Sequence, residues 1–236
     1  MTTRTIKGHI RYTSKKPERL NQERGREDFI WVAHENGCRT LTAHCEIDEP
    51  EPRVVRDVIY SVDANHRPLD AMLRLTVGGK FMGAGLFRME GNVIECQSYG
   101  SSIGRLSQTV DTGGNYPWFG THPLSADGYN TVNFDRSQGP VKRRMRSFLS
   151  SLDHRGATDP MISSHHIFLE YVGDEAVTVT AGRFSCRHFR FVGEDDDPIG
   201  HPPYDLWVTA DDDNLFVLGQ VGGYMLTHYE LMSLER

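Results

Sequence analysis

The sequence predicts an all-β protein: a strongly curved antiparallel sheet that closes into a barrel or half-barrel, with one short helix. Apolar and polar residues alternate along most of the chain, which is typical of strands. Turn signals such as Gly78-Gly79 and Gly222-Gly223 separate the alternating runs, and one segment alone has the apolar spacing of a helix. Many short strands joined by turns indicate a barrel or a sandwich rather than alternating strands and helices.

The composition is that of a folded chain with a mild acidic excess. Of its 236 residues, 10% are aromatic, which is too many for a disordered protein. The net charge of -6 does not attract nucleic acid or an anionic membrane, so neither is expected as a partner. No secretory signal and no membrane-spanning run is visible, which predicts a cytoplasmic protein. Four cysteines without C-x-x-C spacing are predicted to be reduced thiols: Cys38, Cys45, Cys96 and Cys186.

The clearest strand pair is a hairpin over residues 28–47. Asn36-Gly37 predicts a two-residue turn, which would place Phe29 opposite His44. One face would then contain the core residues Ile30, Val32, Leu41, Ala43, Cys45 and Ile47. The other face would contain Phe29, Trp31, Thr40, Thr42 and His44. Such a polar but aromatic face is expected to line a cavity or to meet a partner.

The remaining chain is predicted to form further strands within a single domain of residues 1–236. They cover residues 5–13, 54–62, 71–77, 80–90, 93–99, 105–110, 166–172, 176–180, 184–192, 206–210, 215–221 and 224–234. The helix is predicted at 141–152, where Val141, Met145, Phe148, Leu149 and Leu152 share one stripe. Residues 60–79 and 207–223 have similar patterns, so two meander repeats are one option.

A long aromatic insertion interrupts the strands at about 111–160, and it includes the predicted helix. Connections of this length are usually functional, so we expect an ordered lid or pocket wall. Exposed aromatic rings suggest an apolar or aromatic ligand, whereas rings that only anchor the loop to the sheet are the alternative. The residues predicted to bind substrate are Trp31, Tyr116, Trp118, Phe119 and Trp207.

The C-terminal part contains a turn and a strand that resemble a known group of proteins. The turn lies in residues 175–184, EAVTVTAGRF, and the strand begins at Tyr204-Asp-Leu-Trp207. They resemble uncharacterised bacterial β-rich proteins with a V-x-V-P-A-G-x-F turn and a later strand that contains tryptophan. Thr180 stands where that group has proline. The resemblance implies a curved antiparallel sheet or half-barrel, related in shape to lipoprotein-carrier folds, and it implies no catalytic residue.

The chain contains eleven histidines, which are candidates for metal binding or for acid/base chemistry. No H-x-H or similar spacing supplies two ligands from one strand face, so no metal site and no cofactor are predicted. Acid/base chemistry needs a group that titrates near neutrality, a proton relay and a cation for an anionic substrate. The residues predicted to be catalytic are His122, Tyr129, Asp153, Arg155, His166 and His188. His165 and His166 are adjacent on a strand, so at most one of them enters a cavity.

These residues predict a cofactor-independent enzyme of lyase or isomerase type. Its substrate would be a hydrophobic or aromatic small molecule from aromatic-compound catabolism, with Arg155 holding the negative charge of the substrate. A non-catalytic carrier or sensor with the same pocket is the first alternative. A β-rich interaction module that assembles through its edges, with a filled barrel, is the second. A homodimer is compatible with each alternative.

Overall fold

The computed structural model of the chain describes residues 3–114, 118–193 and 200–236. Within these ranges it contains one 15-stranded sheet, one four-residue helix and two 3-10 turns. The strands are β1 (Arg4–Ser14), β2 (Glu23–Ala33), β3 (Arg39–Ile47), β4 (Val54–Val62), β5 (Pro68–Val77), β6 (Lys80–Glu90), β7 (Val93–Gly100), β8 (Gly104–Asp111), β9 (Phe119–Gly120), β10 (Val141–Leu149), β11 (Ser163–Val179), β12 (Gly182–Gly193), β13 (Tyr204–Thr209), β14 (Phe216–Val221) and β15 (Thr227–Glu235). The helix α1 is Leu124–Asp127, and the 3-10 turns are Pro17–Arg19 and Gly128–Asn130.

The strands lie in the sheet nearly in chain order. β1 pairs antiparallel with β2 on one side and with β15 on the other. From there β2 to β8 run to one edge of the sheet, and β15 back to β10 run to the other edge, where β9 pairs parallel with β10. The nearly all-β, curved sheet confirms the predicted fold class, although the hydrogen bonds of the described strands do not close it into a complete barrel.

The predicted register of the first hairpin was wrong by one residue. Phe29 pairs with Ala43 rather than with His44. The loop contains three residues instead of two, because His34 pairs with Cys38 and Gly37 adopts a left-handed φ of +85°. The slip reverses the side chains of β2 relative to those of β3, so Phe29 and Trp31 join Leu41 and Ala43 on the core face, while Ile30 and Val32 lie on the other face.

The described part of the insertion runs through the core instead of covering a pocket as a lid. Its side chains Trp118, Phe119, Leu124, Ala126, Tyr129 and Phe134 are buried against the inner face of the sheet. Glu27 of β2 anchors this segment: its carboxylate accepts hydrogen bonds from the backbone nitrogens of Leu124 and Ser125 at 2.8 and 2.9 Å. The segment therefore occupies part of the space inside the curved sheet, and its residues line one side of a cavity there.

The predicted helix over 141–152 was wrong, because residues Val141–Leu149 form strand β10. The strand pairs with β11 along its whole length, from Val141 opposite Tyr171 to Leu149 opposite Ser163. This continuous pairing outweighs the helical spacing of the apolar residues. β11 itself joins the two predicted strands 166–172 and 176–180 into one, with a bulge between Tyr171 and Gly173.

Residues 157–162 bridge the gap between the two edges of the sheet. The Asp159 carboxylate accepts hydrogen bonds from the backbone nitrogens of Ser102 and Ile103 at 2.9 and 3.0 Å. Ile162 exchanges hydrogen bonds with the Gln108 side chain of β8. Hydrogen bonds of side chains thus connect the two edges of the sheet, where no backbone pairing between the described strands joins them. No helix in the described part of the chain is long and apolar enough to cross a membrane.

Candidate functional site

A cavity of about 130 Å³ lies between the inner face of the sheet and the inserted segment. Its volume is close to the roughly 150 Å³ of an engineered cavity that holds benzene, so a single-ring molecule fits. The walls combine imidazoles, guanidinium groups and aromatic rings, and we call it the histidine cavity. Its main side chains are Tyr12, Arg24, Arg56, Trp118, His122, Asp127, Asn130, His154, Arg155, His165, Phe191, His201, Tyr204 and Tyr229.

His122 enters this cavity from a strained stretch of backbone. Its φ of +75° lies in the left-handed region that non-glycine residues rarely adopt. Its Nε2 lies 2.8 Å from the Ser151 hydroxyl, which itself donates to the carbonyl of Asp153 at 3.0 Å. Burial, followed by the positive charges of Arg56 and His154, holds the pKa of His122 well below its usual range. The imidazole is therefore neutral at pH 7 and can accept a proton.

Arg56 is a buried cation at the wall of the cavity. It lies on the inner face of β4, 2% exposed, and its Nη2 donates to the carbonyl oxygens of Arg155 and, at 2.9 Å, of Gly156. Arginine is rarely buried without an acidic partner. No carboxylate of the described residues forms a salt bridge with Arg56; its hydrogen bonds go to backbone carbonyls, and the buried Glu27 lies two strands away on the same face.

Gly156 allows His122 and Arg56 to approach each other. Its φ is +61°, and a Cβ atom there would lie 2.5 Å from His122 Cδ2 and 2.6 Å from Arg56 Nη2. Both the backbone conformation and the close contact require glycine. The turn over residues 153–157 is held by the Asp153 carboxylate, which accepts a hydrogen bond of 3.2 Å from the backbone nitrogen of Ala157.

Three further histidines form a chain of ring contacts on the cavity wall. The ring of His154 lies 4.7 Å from that of His201 and 5.7 Å from that of His165. Burial, followed by the charge of His154, lowers the pKa of His201 to about 4. His201 is therefore a neutral imidazole at pH 7.

Asp127 brings the only carboxyl group among the cavity's described side chains. It ends helix α1 and accepts a hydrogen bond of 3.1 Å from the Tyr204 hydroxyl. Burial raises the pKa of Asp127 well above its usual range, and the negative charge of Glu27 adds to the rise. A carboxyl with a raised pKa can donate a proton, which complements the neutral His122.

Three of the predicted site residues, His122, Arg155 and Trp118, come together at the histidine cavity. A fourth, Asp153, lies in the adjoining turn and positions backbone rather than ligand. Trp118 forms an aromatic wall with Phe191, their ring centroids 6.2 Å apart in an edge-to-face arrangement. Trp118 and His122 lie near the start of the insertion and Arg155 lies near its end, and the fold brings both ends to the same cavity.

Other predicted site residues lie in the core instead. Tyr129 packs against Trp31 with ring centroids 4.3 Å apart, and its hydroxyl accepts a hydrogen bond of 2.7 Å from Arg39. Phe119 is fully buried and packs against Phe87 at 5.0 Å. These residues stabilise the barrel and do not line the cavity, because the corrected hairpin register turns Trp31 inward against the inserted segment. Tyr116 lies outside the described residues.

The predicted histidines of β11 and β12 are placed away from the cavity. His166 is exposed, and its neighbour His165 lines the cavity instead, because adjacent residues of a strand face opposite sides. His188 stacks on Trp207 with ring centroids 4.1 Å apart, and its Nε2 lies 2.7 Å from Asp205 Oδ1. Both lie on the sheet face opposite to the buried Phe189, so neither contacts the histidine cavity.

The sequence reasoning missed Arg56, Asp127, His154, His165 and His201. Arg56 had a detectable signal: it occupies an inward position of β4 between the buried residues Val54 and Val58, where a charged residue is unexpected. Asp127 and His154 depend on how the insertion folds, and His165 and His201 depend on the placement of β11 and of the connection between β12 and β13, none of which a local pattern describes. Among the described residues, no group of three or more His, Cys, Asp or Glu side chains could hold a metal ion.

Comparison with known proteins supports the fold and does not extend to function. No protein-family model and no curated protein matches the sequence. The crystal structure of a β-barrel-like protein of the domain of unknown function DUF1849 from Brucella abortus is similar over 98% of this chain and 97% of that one, at 12% identity and a TM-score of 0.63. A DUF1089 family protein from Pseudomonas aeruginosa aligns over 84% of this chain and 89% of that one, at 8% identity and a TM-score of 0.43.

Proposed function

We propose that this protein is an acid/base enzyme of lyase or isomerase type that converts a small aromatic anion in the histidine cavity. The observation that carries the proposal is the buried guanidinium of Arg56, which has no acidic partner among the described residues and borders empty space. Burying a cation without a counter-charge is costly. An anionic ligand in the cavity would offset that cost.

The cavity walls support a ligand of one aromatic ring with one negative group. Trp118 and Phe191 offer aromatic surfaces for the ring. Arg56 and Arg155 supply positive charge for a carboxylate or phenolate, and arginine suits the planar geometry of a carboxylate. The volume of about 130 Å³ leaves no room for a large second ring.

The titratable groups support proton transfer without a redox step. The neutral imidazole of His122 would accept a proton from the substrate, and the protonated carboxyl of Asp127 would supply one to the product. An anion beside Arg56 would cancel part of the charge that depresses the pKa of His122, so substrate binding itself would make His122 a stronger base. An isomerisation needs only these two transfers: one C–H bond of the substrate is broken by His122, and another is formed with the proton from Asp127. In a lyase reaction the proton from Asp127 would instead go to the group that leaves when its bond to carbon breaks.

The alternative is a carrier or sensor that binds the same anion and releases it unchanged. The same lining supports it, since binding needs the cations and the aromatic walls but no proton transfer. Product formation discriminates between the two functions.

The test is a screen of benzoates, phenylacetates and phenols for binding by thermal shift, followed by product analysis of every ligand that binds. We expect His122→Gln to bind a substrate normally and to lose turnover by about a hundredfold or more, the usual worth of a general base. A ligand that binds and remains unchanged would assign the carrier function. Failure of every aromatic anion to bind would remove both functions.

Cytoplasmic location, a role in aromatic-compound catabolism, a homodimeric state and independence of cofactors remain predictions of the sequence. Fractionation of cells and the mass of the purified protein in solution test the location and the oligomeric state directly.

A further inference from the structure

A second, larger cavity of about 1170 Å³ lies on the opposite face of the N-terminal half of the sheet. It is a groove that crosses all eight strands from β1 to β8. Its floor is a single row of side chains that pair across neighbouring strands: Lys7, Ile30, Thr42, Ile59, Met72, Leu86, Gln97 and Ser107. We call this row the groove floor.

The middle of the groove floor is apolar and exposed. Ile30, Ile59, Met72 and Leu86 are between 39% and 50% exposed, although large apolar side chains are normally buried. They extend from β2 to β6, four strand spacings or about 19 Å. An apolar stripe of this length on the surface indicates a binding site rather than scattered exposed residues.

The β8 end of the groove is polar and positively charged, whereas Lys7, at the β1 end, lies 3.8 Å from the Glu235 carboxylate. On β7 and β8, Gln97 Nε2 donates to the Ser107 hydroxyl at 2.7 Å, and Arg105 lies beside them, opposite Tyr99. No carboxylate forms a salt bridge with Arg105 among the described residues. The acidic residues of the groove have histidine partners instead: the Asp28 carboxylate lies 2.8 Å from the His9 ring, and the Asp57 carboxylate lies 2.6 Å from the His44 ring.

We propose that the groove binds a free long-chain fatty acid. Its carboxylate would lie on Arg105, Gln97 and Ser107, and its alkyl chain would lie along the apolar part of the groove floor toward Ile30. The charge of Arg105 is complementary to a single carboxylate, while the apolar stripe is one side chain wide and bordered by polar rows. A protein partner buries a broad patch with an apolar centre, whereas an extended chain fits a narrow stripe.

The test measures binding of palmitate and of hexadecanol to the full chain by displacement of a fluorescent fatty acid. We expect Met72→Asp, at a half-exposed position that tolerates a charge in the folded protein, to weaken palmitate at least about tenfold. Arg105→Gln should weaken palmitate by about tenfold and leave hexadecanol unchanged, because only the acid has a charge to lose. Leu20→Asp, at an apolar residue that is 58% exposed outside the groove, is the matched control and should change neither.

Three outcomes would overturn this proposal. Palmitate that does not bind, or that binds equally well to Met72→Asp, removes the fatty acid from the groove. A change from dimer to monomer in Met72→Asp, without palmitate binding, assigns the groove to a second copy of the chain. The histidine cavity is on the other face of the sheet, so binding of small aromatic anions and the His122→Gln result are unaffected by any of these outcomes.

Discussion

The Nη2 atom of Arg56 donates a hydrogen bond of 2.9 Å to the carbonyl oxygen of Gly156, which places a buried cation on the turn that also contacts His122. This contact joins strand β4, from the first half of the chain, to the end of the inserted segment. The charge, the strained histidine and the glycine that separates them form one unit.

Gly156→Ala should destabilise the protein and disrupt ligand binding. The added methyl group would collide with His122 and Arg56, and a φ of +61° is unfavourable for alanine, so we expect a loss of about 1–3 kcal/mol in unfolding free energy. Gly91→Ala is the control, because Gly91 has a similar φ of +58° and nothing within 4 Å of an added Cβ atom. Urea denaturation measures both. An equal loss of unfolding free energy in the two variants would mean that the close contact with His122 and Arg56 does not contribute to the effect.

Stability should fall as the pH decreases from 6.5 toward 4. The pKa of His201 is lowered from 6.5 to about 4, so within this window the unfolded chain binds a proton that the folded chain does not. His201→Gln should reduce the slope of unfolding free energy against pH, by at most about 1.4 kcal/mol per pH unit. His44, whose pKa is raised by Asp57 against the effect of burial, acts in the opposite direction and cancels in the comparison. Identical slopes for wild type and variant would contradict the burial of a neutral His201.

Asp127→Asn should stabilise the protein at pH 7 and abolish turnover. Burial raises the pKa of Asp127 well above its unfolded value, so the stability that its protonated form contributes is lost as the pH rises through the folded pKa. Asparagine has no such loss, and we expect a gain of about 1 kcal/mol or more at pH 7, the worth of one pKa unit. Thermal unfolding at pH 4 and pH 7 tests the sign. A variant that is less stable at pH 7 than the wild type would show that Asp127 is held as a carboxylate.

Tyr129→Phe should reduce stability and leave turnover unchanged. The variant removes the hydroxyl that accepts a hydrogen bond from Arg39, which is worth about 1–2 kcal/mol for a charged donor, and it retains the ring that packs against Trp31. Activity assays with the substrate from the screen give the second measurement. Loss of turnover at unchanged stability would restore the catalytic role that the sequence predicted for this residue.

The sequence was sufficient to predict the class of fold because strand alternation is a local property. Its errors arose where a single residue decides the outcome: Gly37 lengthens a loop by one residue, and this reverses Phe29 and Trp31. At β10 the pairing with β11 determines the structure, which the spacing of Met145 and Phe148 does not reveal. The local spacing of apolar residues does not predict long-range strand pairing of this kind.

The residues of the candidate site were predictable only where their local sequence was unusual, and not where their position depends on long-range pairing. His122 and Arg155 attracted attention as polar residues of an aromatic insertion, and the fold places both at one cavity. The choice between His165 and His166 depends on which face of β11 is turned inward, and that is set by neighbouring strands. Arg56 lies about a hundred positions from Gly156 in the sequence, and their hydrogen bond exists only in the folded protein.

The most direct test of the account is the affinity of a small aromatic carboxylate for wild type and for Arg56→Met, measured by calorimetry with benzoate. Methionine fills a similar volume without a charge and leaves the carbonyl oxygens of Arg155 and Gly156 without this donor, so we expect the variant to fold with an unfolding free energy lower by about 1–3 kcal/mol. We expect benzoate to bind to the wild type, and we expect Arg56→Met to weaken this binding by about tenfold to a hundredfold, the worth of a charged hydrogen bond. Equal benzoate affinity in a folded Arg56→Met variant would contradict the anion site and, with it, the proposed function.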